Sequence, residues 1–213
     1  VGSEMCIRDR YHDIAIAYQK AIRAFYDAGC RYLQLDDTSW GEFCDADKRK
    51  TYKERGFDLE EIAKSYVDMI NLALEAKPAD MTITMHICRG NFRSTWFSSG
   101  GYEPVAETLF GHCKVDGFFL EYDSERSGDF SPLRYIKDQK VVLGLITSKF
   151  PELEDKEEIK ERIQEAEKYV AKEQLCLSPQ CGFSSTEEGN VMTEEEQWKK
   201  VVFVKEIAEE VWD

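Results

Sequence analysis

No stretch of this chain approaches the roughly eighteen consecutive apolar residues of a membrane-crossing helix, and nothing near its start joins a basic segment to an apolar run and a small-residue cleavage site. The sequence reads as that of a soluble protein that is not exported. Positive charge is also short: 28 Lys+Arg against 42 Asp+Glu leave a formal net charge of -14, which repels phosphate backbones and anionic lipid surfaces. Neither a nucleic acid nor a membrane is an expected partner. No Gly-rich phosphate fingerprint occurs. Cysteine is not scarce, but seven is an odd number, and the spacing matches no small disulfide-stapled scaffold. Reduced thiols or metal ligands are the better reading, and with them a cytoplasmic location.

What is present suffices for a substantial core: 213 residues, 42% hydrophobic and 12% aromatic, which is the size of a single domain. Residues 1–10, VGSEMCIRDR, show no periodicity that joins them to the segment after them and are set aside as a leader foreign to the fold, leaving 11–213 as the domain. Ile14, Ala17, Tyr18, Ala21, Ile22, Phe25 and Tyr26 recur at helical spacing, and Gly29 stands just beyond as a C-cap candidate. Short apolar runs then alternate with amphipathic segments. Strands are expected at 32–37, 81–88, 117–123, 141–148 and 174–179, with helices at 59–76, 105–110, 156–171 and 194–212 and a polar loop after the first strand. Such runs suit strands buried on both faces, the condition of a parallel sheet covered by helices. A (β/α) barrel is expected, with an open α/β sheet as the runner-up. Polar residues gather at the C-terminal strand ends, where either architecture places its site.

His86 and Cys88 stand two apart at one such end, so the period of a strand turns both side chains to the same face. Glu121 closes the run Gly117-Phe118-Phe119-Leu120, where an acid must meet solvent or a cation. Cys181 comes after the last strand, with Gly182 freeing the backbone to turn its sulfur inward. One imidazole, one carboxylate and two thiolates form a set suited to Zn²⁺ rather than to hard cations or redox iron. A His-x-Cys pair by itself is more often core packing; the combination of four carries the metal reading. His12 and His112 lie on helical or loop segments that suit surface or capping roles. Cys30 and Cys176 read as packed thiols, Cys44 and Cys113 have no partner spacing, and Cys6 falls in the leader.

Five segments in order, Gln34-Leu35-Asp36-Asp37, Met85-His86-Ile87-Cys88-Arg89-Gly90-Asn91, Phe119-Leu120-Glu121-Tyr122-Asp123, Gly144-Leu145-Ile146-Thr147-Ser148-Lys149 and Ser178-Pro179-Gln180-Cys181-Gly182-Phe183, give the chain a specific likeness. From about Tyr11 to Trp212 it resembles the C-terminal catalytic domain of cobalamin-independent methionine synthase, above all the short single-barrel bacterial homologues. The resemblance implies a (β/α)₈ TIM barrel of which this chain holds about the last five βα units. It implies zinc on His86, Cys88, Glu121 and Cys181, and contact of Asp36 with the amino group of homocysteine. The reaction implied is methyl transfer from 5-methyltetrahydrofolate, in polyglutamylated form, to the homocysteine thiol, giving methionine. For Asp36 and Asp37 a solvated strand end or a helix N-cap stands beside any functional role. Where the long enzymes carry an Asp-Ile-His stretch with a proton-donating His, this chain has Thr147-Ser148-Lys149, which makes Lys149 the candidate cation or proton donor. Another thiol or methyl carrier, a zinc hydrolase, and an inactive zinc-binding barrel fragment are the alternatives. Two Cys ligands argue against the hydrolase, because hydrolytic zinc favours His and carboxylate.

Overall fold

The apolar runs form five strands, β1 (Tyr32–Asp37), β2 (Thr82–Ile87), β3 (Gly117–Glu121), β4 (Lys140–Ile146) and β5 (Leu175–Pro179). A computed structural model describes the backbone of residues 4–213 and the side chains of residues 9–213. All neighbouring strands are parallel and lie in the order β1-β2-β3-β4-β5. Each crossover therefore advances by one strand in the same direction. A doubly wound sheet reverses its order at a switch point, and no reversal occurs here. The sheet is a section of a (β/α) barrel wall.

Helix α1 (Glu4–Asp27) precedes β1 and α7 (Glu194–Trp212) follows β5; between the strands lie α2 (Ser39–Cys44), α3 (Ala46–Glu54), α4 (Leu59–Leu74), α5 (Glu103–His112) and α6 (Lys156–Ala166). Acidic caps start several of them. Asp58 accepts from the amides of Glu60 and Glu61, Asp155 accepts from those of Glu157 and Glu158, and Thr193 with Glu196 forms a capping box. Strand side chains alternate. Ile83, Met85, Ile87, Phe118, Leu120, Val141, Leu143, Leu145 and Leu175 join the helices in one core, together with Trp40, Val67, Ile70, Leu109 and Phe110. The opposite, concave face carries Thr84, Phe119, Val142, Cys176 and Ser178, which line an open trough. Tyr32, on outer strand β1, is 53% exposed. Among the described residues, no helix is long and apolar enough to cross a membrane.

Three expectations about elements change. Helix α1 begins at Glu4, so seven of the ten residues set aside from the fold are helical. The polar loop after β1 contains α2 and α3. Helix α2 buries Trp40 and Phe43, whereas α3 buries no side chain and is held by its Asp45 cap, so it carries no apolar period to read. Helix α6 stops at Ala166 rather than at 171, and the chain turns there to bury Val170.

Candidate metal centre

The parallel register places the site residues on adjacent strand ends. Asp36 stands opposite His86 in the β1–β2 pair, and Glu121 stands opposite Gly144 in the β3–β4 pair. The amide of Cys88 donates to Asp37 O at 3.0 Å, which continues the ladder one residue past β2 and keeps Cys88 on the His86 face. Room at this end depends on Gly144. A Cβ there would lie 2.7 Å from Gln180 Cα and 2.8 Å from Leu120 O, so any side chain would push the segment leading to Cys181 away.

His86, Cys88, Glu121 and Cys181 come together, with one ligand atom from each all within 4.8 Å of one another. The sulfurs are 4.0 Å apart, and His86 Nε2 is 3.5 Å from Glu121 Oε1. Four tetrahedral ligands at zinc bond lengths stand about 3.3–3.8 Å from each other. The cluster is therefore close to the size one such ion requires. His86 is buried, and its Nε2 has no hydrogen-bond partner. A buried nitrogen aimed among two sulfurs and a carboxylate without a partner is what a ligand position leaves behind.

Charge within the cluster is strongly coupled. Burial opposes a charge on His86, but Cys181 and Glu121 beside it outweigh burial and push its pKa up to about 10. Contact with Cys88, helped by His86, draws the Cys181 thiol well below the ordinary range, while the same contact together with burial pushes Cys88 above it. These directions favour an imidazolium beside one thiolate and one thiol when no cation is bound.

Glu121 is fully buried and held on both oxygens. Oε1 accepts from the Arg89 amide at 2.8 Å, and Oε2 accepts from Arg126 Nη2 at 2.9 Å. Arg126 also donates to Asp123 Oδ1 at 2.8 Å. Tyr102, buried beneath, accepts from the Glu121 amide at 2.9 Å and donates to its carbonyl at 3.3 Å. Sequence reading missed Arg126, Arg89 and Tyr102. For Arg126 a signal existed: it is the first cation after the Glu121-Tyr122-Asp123 acids, five residues beyond a carboxylate that needs one.

The other expected residues fall around this cluster. Asp36 is exposed at the end of β1; partial desolvation raises its pKa against the pull of His86, while Cys181, Asp37 and Glu121 raise it further, so it feels the charge of the cluster. Asp37 accepts from the Ser39 amide at 2.7 Å, closing the turn into α2, while Thr38 occupies the N-cap position itself. Lys149 is buried, and burial lowers its pKa. Its Nζ donates to Gly90 O at 2.9 Å, Thr95 O at 2.9 Å and Asn91 Oδ1 at 3.3 Å, which engages all three protons. His112 caps the end of α5, its Nδ1 3.0 Å from Glu107 O. Cys44 and Cys113 are buried outside the cluster, Cys30 and Cys176 are partly buried, and the side chain of Cys6 lies outside the described residues.

A section of (β/α) barrel wall with a cluster able to hold a metal at the C-terminal ends of its strands defines the class. Within that class, residues 4–201 match the model of the cobalamin-independent synthase catalytic domain, and the chain belongs to that family. It is 58% identical over 204 residues to the uncharacterized protein YxjH of Bacillus subtilis, and 56% identical over 203 residues to YxjG of the same organism. The alignments take in 95% and 94% of this chain but 54% of each relative. Among solved structures, a putative vitamin-B12 independent methionine synthase from Listeria monocytogenes superposes with a TM-score of 0.77 at 53% identity, over 95% of this chain and 55% of that one. A B12-independent methionine synthase from Shewanella sp. W3-18-1, in complex with selenomethionine, shares the fold with a TM-score of 0.67 at 20% identity, over 92% of this chain and 53% of that one. The chain spans about half the length of the relatives it matches.

Proposed function

We propose that the protein is a zinc-dependent methyltransferase that moves a methyl group from 5-methyltetrahydrofolate, in polyglutamylated form, to the thiol of homocysteine, giving methionine. The observation that carries this reading is the convergence of His86, Cys88, Glu121 and Cys181 at the strand ends, two sulfurs among them. Family membership and the likeness to the Listeria protein support it. The donor set and the unpartnered His86 Nε2 suit Zn²⁺, with His86, Cys88, Glu121 and Cys181 as its ligands. When bound, the ion supplies a Lewis-acid position at which a substrate thiol is held as the nucleophilic thiolate.

The chain's own residues set the conditions for that chemistry. Asp36, beside His86 in the register, offers a carboxylate to a substrate ammonium. Arg126 stands ready to hold the Glu121 carboxylate in whatever position it takes, since the guanidinium already shares its charge with Glu121 and Asp123. Lys149 serves as a fixed positive charge near the cluster. It can pass a proton to a leaving group only by releasing one of its three hydrogen bonds, so the geometry favours positioning over proton donation.

The test is zinc content and affinity in the wild type, Cys88→Ala and Cys181→Ala, followed by methyl transfer to homocysteine compared with ester hydrolysis. Loss of either thiolate is expected to weaken zinc by orders of magnitude, and the wild type to methylate homocysteine and leave esters intact. Unchanged zinc affinity in both variants would refute the assignment.

A further inference from the structure

The two sulfurs belong to loops that are far apart in the chain, after β2 and after β5, and one side chain holds both loops. Asn91, buried three residues beyond Cys88, donates from Nδ2 to Gly182 O at 2.6 Å and to Ser185 Oγ at 2.8 Å. Its Oδ1 accepts from Lys149 Nζ at 3.3 Å and from Asn190 Nδ2 at 3.0 Å. All four hydrogen-bonding positions of the amide are used. The orientation of the amide is unambiguous, because Lys149 can only donate and the Gly182 carbonyl can only accept.

Three of the four bonds end next to a sulfur-bearing segment. Gly182 is the residue after Cys181, and Ser185 Oγ lies 3.8 Å from Cys181 Sγ. Lys149 also donates to Gly90 O, in the turn whose amide points at Cys88 Sγ from 3.4 Å. That turn requires glycine: Gly90 has φ 97°, and a Cβ would lie 2.5 Å from Phe97 N. A second tether acts on the same carbonyl, since Ser148 Oγ donates to Gly182 O at 2.9 Å, and Asn190 Nδ2 returns to Ser148 O at 2.8 Å. Asn91 is thus the centre of a network that joins the loops after β2, β4 and β5, with Asn91, Ser148 and Lys149 as its buried members.

We propose that Asn91 is a positioning residue for the metal centre: its amide sets the separation of Cys88 and Cys181 by tying the Gly182 carbonyl and Ser185 to the Cys88 loop. The inference rests on the metal reading proposed above. Without the amide, the Cys181 loop, which is partly exposed beyond Gly182, loses its main buried anchor, and the ion has to order it at the expense of affinity. Loss of an outer partner of this kind typically weakens a metal by about 10–100-fold.

The experiment titrates Zn²⁺ against a competing chromophoric chelator in the intact wild type, Asn91→Leu, Asn91→Asp and Ser148→Ala, and records the Co²⁺-loaded spectrum of each at saturation. Asn71→Leu, at a more exposed loop-bridging amide, is the control. Asn71 bridges a loop in the same manner, to His112 O at 2.9 Å and from the Lys114 amide at 2.8 Å, but towards the other end of the sheet. Expected are a fall in zinc affinity of about 10–100-fold in both Asn91 variants, a smaller fall in Ser148→Ala and none in Asn71→Leu. The thiolate-to-cobalt absorption should weaken in the Asn91 variants and stay unchanged in Asn71→Leu. If Asn91→Leu does not fold, Asn91→Asp and Ser148→Ala decide. A wild type that takes up no zinc would overturn the metal reading and this inference with it. A zinc-binding wild type beside folded variants of equal affinity, or an equal loss in Asn71→Leu, would overturn this inference alone.

Discussion

Zinc added to the metal-free protein should release about two protons both at pH 7 and at pH 8.5, and the second figure tests the electrostatics of the cluster. Ordinary groups behave differently. With thiols titrating near 8.5 and imidazole near 6.5, two free cysteines and a histidine would release slightly over two protons at pH 7 but only about one at pH 8.5. Here His86, with its pKa pushed up to about 10, still carries its proton at the higher pH and must lose it to become a ligand. Cys88, raised by its contact with Cys181 and by burial, gives up a second. Cys181 is drawn down by Cys88 and His86 and contributes none. The metal-free state binds more protons than the loaded state, so acid favours the former, and zinc affinity should rise by about two powers of ten per pH unit across this range. Above about pH 10, where His86 is already neutral, the slope should fall to about one. Calorimetric titration at fixed pH in buffers of different ionisation enthalpy counts the protons directly. A release of about one at pH 8.5 would refute the imidazolium–thiolate–thiol description.

Other consequences concern the supports of the site. Arg126→Met leaves Glu121 buried without its guanidinium, at a cost of about 3–5 kcal/mol in denaturant unfolding of the metal-free protein, and a loss below about 1 kcal/mol would show that the pair is not what stabilises the carboxylate. Gly90→Ala combines φ 97° with a Cβ 2.5 Å from Phe97 N, so destabilisation by at least about 1–3 kcal/mol is expected in thermal unfolding; an unchanged melting temperature would contradict the strained turn. The outer edges of β1 and β5 pair with nothing among the described residues, so a polypeptide of residues 11–213 should unfold broadly and associate. A sharp, monomeric transition would count against that.

Much of this was legible without coordinates, for reasons of period. Runs such as Val141-Val142-Leu143 announce strands buried on both sides, and the two-residue spacing of His86 and Cys88 commits both side chains to one face whatever the neighbours are. Local polar chemistry was legible too: Asp37, considered as a cap from its position, does bond the Ser39 amide, although Thr38 occupies the N-cap position. What lacked a period was lost: α3 buries nothing, and the helical residues before Tyr11 carry no apolar stripe that sets them apart.

The sequence by itself determined the strands, their alternating faces and the residue types able to hold an ion, because these depend on bond geometry and hydropathy within a few neighbouring residues. Only the tertiary structure decided distances between loops. That Cys88 and Cys181 stand 4.0 Å apart depends on parallel register across β2 to β5 and on the absent Cβ of Gly144. That Lys149 spends its protons on the Gly90–Thr95 turn and that Asn91 joins three loops depend on hydrogen bonds between residues 54 to 99 positions apart. Such bonds form only after the sheet has brought the strand ends together, since a polar side chain on an isolated segment is satisfied equally well by water.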